Sequence, residues 1–290
     1  MTNITNSTCL ITGANSGIGF ETAKALCAKG FKVILVCRTK EKANSAMSMI
    51  KQEYSEANMD YAIADLSSQK EIRRLAVDIA DKYPVLDVLI NNAGSWYSDM
   101  KLTDDGIERQ WAINHLAPFL LTHLLLPLLV EAKDPRIITV SSDSHFHGKI
   151  HFEDVNLSQN YHGLRAYAQS KLANVLFTRA FHKLKPNKKL AINAVQPGLV
   201  KTDIGLKHTF SFHGLMWKLR RLTGKTPTQG AATSIFLASN EMIKGESGKY
   251  WDNCKPKAVS KKAANSSDAD KLWDLSLQQC GITDYFGKLA

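Results

Sequence analysis

The sequence predicts an α/β fold: a doubly wound parallel sheet of about seven strands with helices on both faces. Three observations carry this. Strand-like runs alternate with helical patterns along nearly the whole chain, and the connections are short, as parallel strands joined by crossover helices require. Several runs, such as Lys32 to Cys37, are unbroken apolar stretches, as expected of strands buried on both faces. A glycine-rich turn, Thr12 to Gly19, follows the first run.

The elements follow in order. A strand over Cys9 to Thr12 leads into a helix from near Gly17. Further strands are expected at Lys32 to Cys37 and Tyr61 to Ala64. Ser68 and Glu71 then form a capping-box pattern, with Ile72, Leu75, Ala76, Ile79 and Ala80 on one helical face. After a strand at Val85 to Ile90, Phe119 to Val130 is apolar but too short for a bilayer, which needs roughly 18 consecutive apolar residues. Thr122, His123 and Pro127 interrupt it, and it reads as a buried helix. Strands at Arg136 to Ser141 and Ala191 to Val195 come next. Thr226-Pro227-Thr228-Gln229 repeats the capping pattern with proline at the first helical position. A last strand is expected near Gly248 to Asp252, then a docking helix over about 267–280. There Ser267 is the expected N-cap, Asp268 and Asp270 complement the dipole, and Gly281 is the stop. Leu272, Trp273 and Leu275 should hold that helix on the body. No linker, repeat or low-complexity tract divides the chain, so a single domain over 1–290 is expected.

Composition narrows the function classes. Apolar residues make up 44% and charged residues 22% of the 290, ordinary for a globular enzyme. The net charge of +10 is scattered, with no aromatic-interleaved basic platform, so no nucleic-acid partner is expected. Five cysteines show no metal-ligand spacing and read as buried free thiols of a reducing compartment. Met1 to Thr8 is polar, with neither signal-peptide pattern nor membrane anchor, which gives a cytoplasmic expectation. His145, His147 and His151 cluster without a cysteine or carboxylate partner at ligand spacing, so no metal is expected.

The glycine-rich turn is the first chemical candidate. Glycines let the main chain approach a pyrophosphate, and the helix N-terminus adds unpaired N–H groups. The spacing is Gly-x3-Gly-x-Gly, not the common Gly-x-Gly-x-x-Gly fingerprint, and a plain strand-to-helix turn would read the same way. Asn91-Asn92-Ala93-Gly94 follows the fourth strand, where a topological switch point would place a cofactor crevice. Asp65, before Leu66, ends the third strand, positioned to accept from an adenine amino group. Cys37-Arg38 ends the second strand, where NAD enzymes carry an acidic residue for the ribose 2′-hydroxyl. A guanidinium there can hold a phosphate bidentately, so NADP(H) is preferred over NAD(H). Lys42 is either a second phosphate contact or a solvated helix residue.

Tyr167-Ala168-Gln169-Ser170-Lys171 is the second candidate. One helical turn puts Tyr167 and Lys171 on one face, roughly 6 Å apart along the axis. A nearby ammonium and an oxidised nicotinamide would lower the phenol pKa from its ordinary value of about 10. An amphipathic surface pair has the same spacing.

In order and spacing, Thr12 to Gly19, Asn91 to Gly94, Ser142, Tyr167/Lys171 and Pro197-Gly198 resemble the short-chain dehydrogenase/reductase family. Trp111 to His115, Tyr167 to Phe177 and Leu272 to Ser276 resemble its retinol-dehydrogenase-like branch, so the resemblance runs nearly end to end. It implies a Rossmann-type sheet and these roles. Tyr167 is general acid and base, Ser142 donates to the substrate oxygen, and Lys171 holds ribose hydroxyls and tunes Tyr167. Asn114 supports a water-linked proton relay, and Pro118, unable to donate to the Asn114 carbonyl, leaves it free for water. Ser141 competes for the serine role, and the family pattern favours Ser142. Gly13, Asn15, Ser16, Gly17, Ile18, Gly19, Arg38, Asp65, Leu66, Asn92, Ala93, Gly94, Pro197, Gly198 and Thr202 would bind cofactor, together with Tyr167 and Lys171.

The expected activity is NADP(H)-dependent hydride transfer to or from a small apolar carbonyl or alcohol. The alternatives are an idle NADP(H)-binding sensor or scaffold, or a double-bond reductase on the same scaffold. Substrate choice is assigned to Trp96, Tyr97, Ser144 to His151 with His145 foremost, Tyr161, and an insert near 203–225. In that insert Phe212, Leu215, Met216, Leu219 and Thr223 share a helical face opposite Lys218, Arg220 and Arg221. It reads as a lid, or as a loose membrane contact. Apolar residues such as Leu124, Leu125 and Leu128 suit either a monomer or a homodimer.

Overall fold

A computed structural model of the chain describes residues 7–200 and 224–287. Thr202, the insert residues 203–223 with the expected lid helix, and the first six residues lie outside the described residues.

The described strands are β1 (Thr8–Thr12), β2 (Lys32–Cys37), β3 (Met59–Ile63), β4 (Val88–Asn91), β5 (Arg136–Val140), β6 (Ala191–Val195), β7 (Tyr250–Asp252) and β8 (Lys255–Lys257). They form one sheet in the order β3-β2-β1-β4-β5-β6-β7-β8. Every neighbouring pair is parallel except β7 and β8, which are antiparallel. The strand order reverses at β1, so the crevice beyond the carboxyl ends of β1 and β4 is the topological switch point. The fold class is the expected one. The eighth strand is an addition, a three-residue return beyond the Asn253–Cys254 turn, both of whose residues have positive φ. Its sequence, Lys-Pro-Lys, carries no apolar run that could have announced it.

Two cores cover the faces of the sheet. On one side α1 (Gly17–Ala28), α2 (Lys40–Glu53) and α7 (Pro227–Ser239) pack Leu26, Ala46 and Leu237 against Ile11, Leu35 and Ile138. On the other, α3 (Gln69–Lys82), α5 (Ala117–Val130), α6 (Gly163–Leu184) and α8 (Ser266–Cys280) pack Leu75, Leu125, Phe177 and Leu272 against Leu10, Ile34 and Ile137. Alternate residues of one strand therefore feed opposite cores, which accounts for the unbroken apolar runs.

Helix ends match the expectations with two corrections. Thr226 and Gln229 form a complete capping box ahead of α7. Ser68 accepts from the Glu71 N–H at 3.3 Å, but the Glu71 carboxylate turns to Arg74 (2.8 Å), so only half a box forms. Asn265, not Ser267, caps α8: its Oδ1 accepts from the N–H groups of Ser267 (2.9 Å) and Asp268 (3.3 Å). Gly281 ends α8 at φ 61°. A short α4 (Arg109–Trp111) and a π turn (Ala112–Leu116) precede α5. Together, Arg109–Val130 is one helical stretch long and apolar enough to cross a membrane by length and composition, but 72% of its apolar window is buried inside the fold.

Candidate active site

The two asparagine and glycine motifs interlock at the switch point. The Thr12 hydroxyl accepts from the N–H groups of Asn92 (3.0 Å) and Ala93 (2.9 Å), and the Asn92 amide donates to the Thr12 carbonyl (2.7 Å). Gly13 sits at φ +66°, and a Cβ there would press on the Ala93 Cα at 3.1 Å. At Gly19 a Cβ would collide with both the Asn92 amide and the Gly13 carbonyl. The glycines are thus required by packing between the turn and the β4 loop. The same lack of side chains opens the backbone to a ligand. Ser16 precedes α1 without a side-chain cap, leaving the first N–H groups of the helix facing the crevice.

A cavity of about 780 Å³ runs along this crevice. One end is bounded by Arg38, Lys42, Asp65 and Leu66, the middle by the glycine turn and Asn92 to Gly94. The far end is bounded by Ser142, Tyr167, Lys171, Pro197 and Gly198. Asn15, Ser16, Gly17, Ile18, Gly19 and Trp96 also line it. Asp65 turns one carboxylate oxygen back to the Ser67 N–H (2.9 Å) and hydroxyl (2.8 Å).

Asn114, His145 and Tyr161, all expected at the site, stand off the cavity. Asn114 is fully buried in the π turn, where the Ala117 N–H reaches back to the Ala112 carbonyl. Its Oδ1 accepts from the Ser95 N–H (2.7 Å), and its amide donates to the Ser95 carbonyl (2.9 Å) and the Ser170 hydroxyl (3.0 Å). It therefore joins the loop after β4 to α6, between Tyr167 and Lys171. His145 is the correction. Its ring is buried, with Nδ1 at 2.9 Å from the Ser142 carbonyl and Nε2 accepting from the Ser260 N–H at 3.3 Å, so it does not reach the cavity. It props the turn behind Ser142 instead. Tyr161 is likewise absent from the cavity lining.

The titratable groups at the far end of the cavity are close and poorly solvated. Lys171 is 2% exposed, and its Nζ donates to the Val140 carbonyl at 3.0 Å. Burial lowers its pKa to about 8. Tyr167 is pushed up to about 12 by burial, with hydrogen bonding to Ser142 drawing it partly back. The sequence predicts a phenol lowered by an ammonium and an oxidised nicotinamide together; in the protein alone desolvation wins, and the phenol stays neutral. Ser141 is committed elsewhere, its hydroxyl donating to the Lys171 carbonyl at 2.7 Å. Ser142, capping the short 3₁₀ turn Asp143–His147, is the serine beside Tyr167. The Val140 carbonyl that anchors Lys171 carried no signal in the sequence, because any residue type supplies one.

A family model described as short chain dehydrogenase matches residues 7–209. The chain belongs to the short-chain dehydrogenase family. Among curated relatives, this dehydrogenase is 39% identical to mouse retinol dehydrogenase 14, covering 95% of this chain and 86% of that protein. It is 40% identical to bovine retinol dehydrogenase 12, over 94% and 86%. Among solved structures it resembles a protein from Mycobacterium paratuberculosis (TM-score 0.77, 32% identity, 97% and 95% covered). It also resembles an Escherichia coli CFT073 short chain dehydrogenase complexed with NADPH (TM-score 0.68, 25% identity, 87% and 98% covered). The retinol-dehydrogenase-like branch is thereby shown, and with it an oxidoreductase of the alcohol and carbonyl class that works with a nicotinamide cofactor. The residues fit such a group. The glycine cradle leaves the backbone open along the cavity, and a Cβ at Gly94 would stand 3.3 Å from the Lys171 Nζ.

Proposed function

We propose that this short-chain dehydrogenase is an NADP(H)-dependent oxidoreductase that moves hydride to or from an apolar carbonyl or alcohol, with Tyr167 as general acid and base. One observation carries the reading: Ser142, Tyr167 and Lys171 open onto the same cavity as the glycine turn and Arg38. An anion-binding end and a proton-donating end thus share one continuous space.

When bound, the dinucleotide supplies or accepts the hydride. The chain's own residues do the rest. The N–H groups of the turn at Gly17 to Gly19 receive the pyrophosphate. Arg38, with Lys42 beside it on the cavity wall, takes a ribose phosphate through its planar fork. Lys171, oriented by the Val140 carbonyl, donates to ribose hydroxyls. Ser142 and Tyr167 donate to the substrate oxygen and neutralise the charge that develops there. In reduction the neutral phenol gives its proton to that oxygen and is left as phenolate; oxidation is the reverse step, in which the phenolate takes the proton from the alcohol and returns to the neutral phenol. Asn114 holds the β4 loop and α6 in register, and its place in a proton relay rests on the family resemblance.

Trp96, Tyr97, Ile113 and Leu199 give the reactive end an apolar lining, which suits an apolar substrate. The retinol-named relatives and the NADPH-bound Escherichia coli structure support the same classes. Cavity residues run from Gly13 to Asn253, which supports a single domain, and five unpaired cysteines suit a cytoplasmic setting. The test is a panel of aldehydes and ketones, a retinoid aldehyde included, offered with NADPH and with NADH. Turnover favouring NADPH is expected. Preference for NADH would overturn the cofactor assignment, and cofactor binding without turnover across the panel would overturn the enzymatic one.

A further inference from the structure

The wall of the substrate end is held by two consecutive residues that the reaction does not use. Arg109 and Gln110 open the helical stretch leading to Asn114. The Arg109 guanidinium lies 3.4 Å from the centre of the Tyr97 ring, a stacked contact. Gln110 is fully buried, and its side-chain nitrogen reaches three acceptors: the carbonyl of Tyr97 (3.3 Å), the carbonyl of Gly163 (3.2 Å) and the hydroxyl of Tyr161 (2.7 Å). Gly163 is the first residue of α6, one turn before Tyr167. A Cβ at Gly163 would collide with the Tyr97 carbonyl oxygen, so wall and helix meet there backbone to backbone.

The amide is itself oriented. Tyr161 accepts from Gln110 and donates to Glu108 Oε1 at 3.0 Å, while Glu108 Oε2 accepts from the Trp111 N–H at 2.7 Å. Glu108 is 1% exposed, so this chain of bonds is shielded from competing water and its donors have no cheap alternative partner.

We propose that Gln110 is a positioning residue that clamps the Trp96–Tyr97 wall to the start of the Tyr167 helix and thereby fixes the size of substrate admitted between them. The inference rests on the proposed carbonyl chemistry for its substrate-size consequence, but the clamp itself is a property of the full chain without substrate. Loss of the clamp lets the wall retreat from Tyr167, which favours bulky substrates over small ones. Selectivity set by one apolar wall changes by about tenfold per methylene-sized adjustment.

The test uses Gln110→Leu and, should that variant fold poorly, Gly163→Ala, whose added methyl forces the same two segments apart. Amide hydrogen exchange over residues 95–99 should accelerate about tenfold in either variant while β1 and β4 amides keep their wild-type protection. With NADPH, the ratio of kcat/KM for a branched bulky aldehyde to that for a short linear one should rise about tenfold. Tyr161→Phe, which removes only the orienting hydroxyl, should shift both readouts in the same direction by less. Unchanged exchange over 95–99 in both main variants would overturn the clamp. Loosened amides with an unchanged ratio would overturn its role in specificity. Wild-type protein that turns over no aldehyde would sink the carbonyl chemistry, and exchange alone would still decide the clamp.

Discussion

The Lys171 ammonium nitrogen lies 5.5 Å from the centre of the Tyr167 ring and is tethered to strand β5 through the Val140 carbonyl. Both side chains leave the same face of α6, but the strand sets where the charge sits. Two consequences can be measured.

Replacing Tyr167 with Phe removes the phenol beside Ser142 and Lys171 on the cavity wall. Hydride transfer should fall by roughly 10²–10⁴-fold, the contribution expected of a positioned acid or base. NADPH affinity should change little, since Lys171 keeps its Val140 anchor. An undiminished single-turnover rate would remove Tyr167 from the mechanism.

Lys171 titrates at about 8 in the folded protein, below the ordinary lysine value of about 10.4. Between those two values the unfolded chain keeps a proton that the folded chain has released. Stability therefore gains from this group as pH rises through the window. Denaturant titrations of the wild type and Lys171→Met should show the wild type improving relative to the variant between pH 8 and 10. The opposite trend would mean that the buried ammonium is better paired than Val140 alone makes it.

Arg38→Ala should weaken NADPH binding by roughly tenfold to a hundredfold, the worth of a charge-assisted hydrogen-bonded contact, and leave NADH binding nearly untouched. Isothermal titration with both cofactors distinguishes this from a general loss. Equal weakening of the two would place Arg38 away from the 2′-phosphate.

Gly19→Ala drives a methyl into the Asn92 amide and the Gly13 carbonyl together. Backbone cannot yield there cheaply, so a loss of about 1–3 kcal/mol in stability is expected, with weakened cofactor binding. Thermal melts with and without NADPH give both quantities.

At the tail, Asn265→Ala should cost about 1 kcal/mol, whereas Ser267→Ala should be close to neutral. Equal effects would restore Ser267 as the cap.

Much of this was legible in the sequence, for identifiable reasons. Val33 to Cys37 is an unbroken apolar run of strand length, which reads as a strand buried on both faces. Gly13 and Gly19 mark backbone that a side chain would obstruct, and Gly17 marks a positive φ of 57°. Other features had no such mark. Asn265 and Ser267 are both good caps, and only the backbone angle at 265 decides between them. His145 lies in a short turn with no periodicity to say whether it faces the cavity or the core. Gln110 and Tyr161 are far apart in sequence, so their pairing with Glu108 has no local pattern. The spacing of Tyr167 and Lys171 reports a neighbouring charge but not the loss of water around the phenol, which raises its pKa in the protein alone.

Strand β8 closes one margin of the sheet with Lys255, Pro256 and Lys257. Proline has no N–H to offer a further strand, and the exposed Lys255 ammonium repels a second copy of itself. Lys257 is also tied inward to Asp143 (2.9 Å) and Asp252 (3.1 Å), so the margin cannot easily peel away to expose β7. Crowded copies of this protein should therefore resist growing into edge-joined fibrils from that side, whatever they do through their helices.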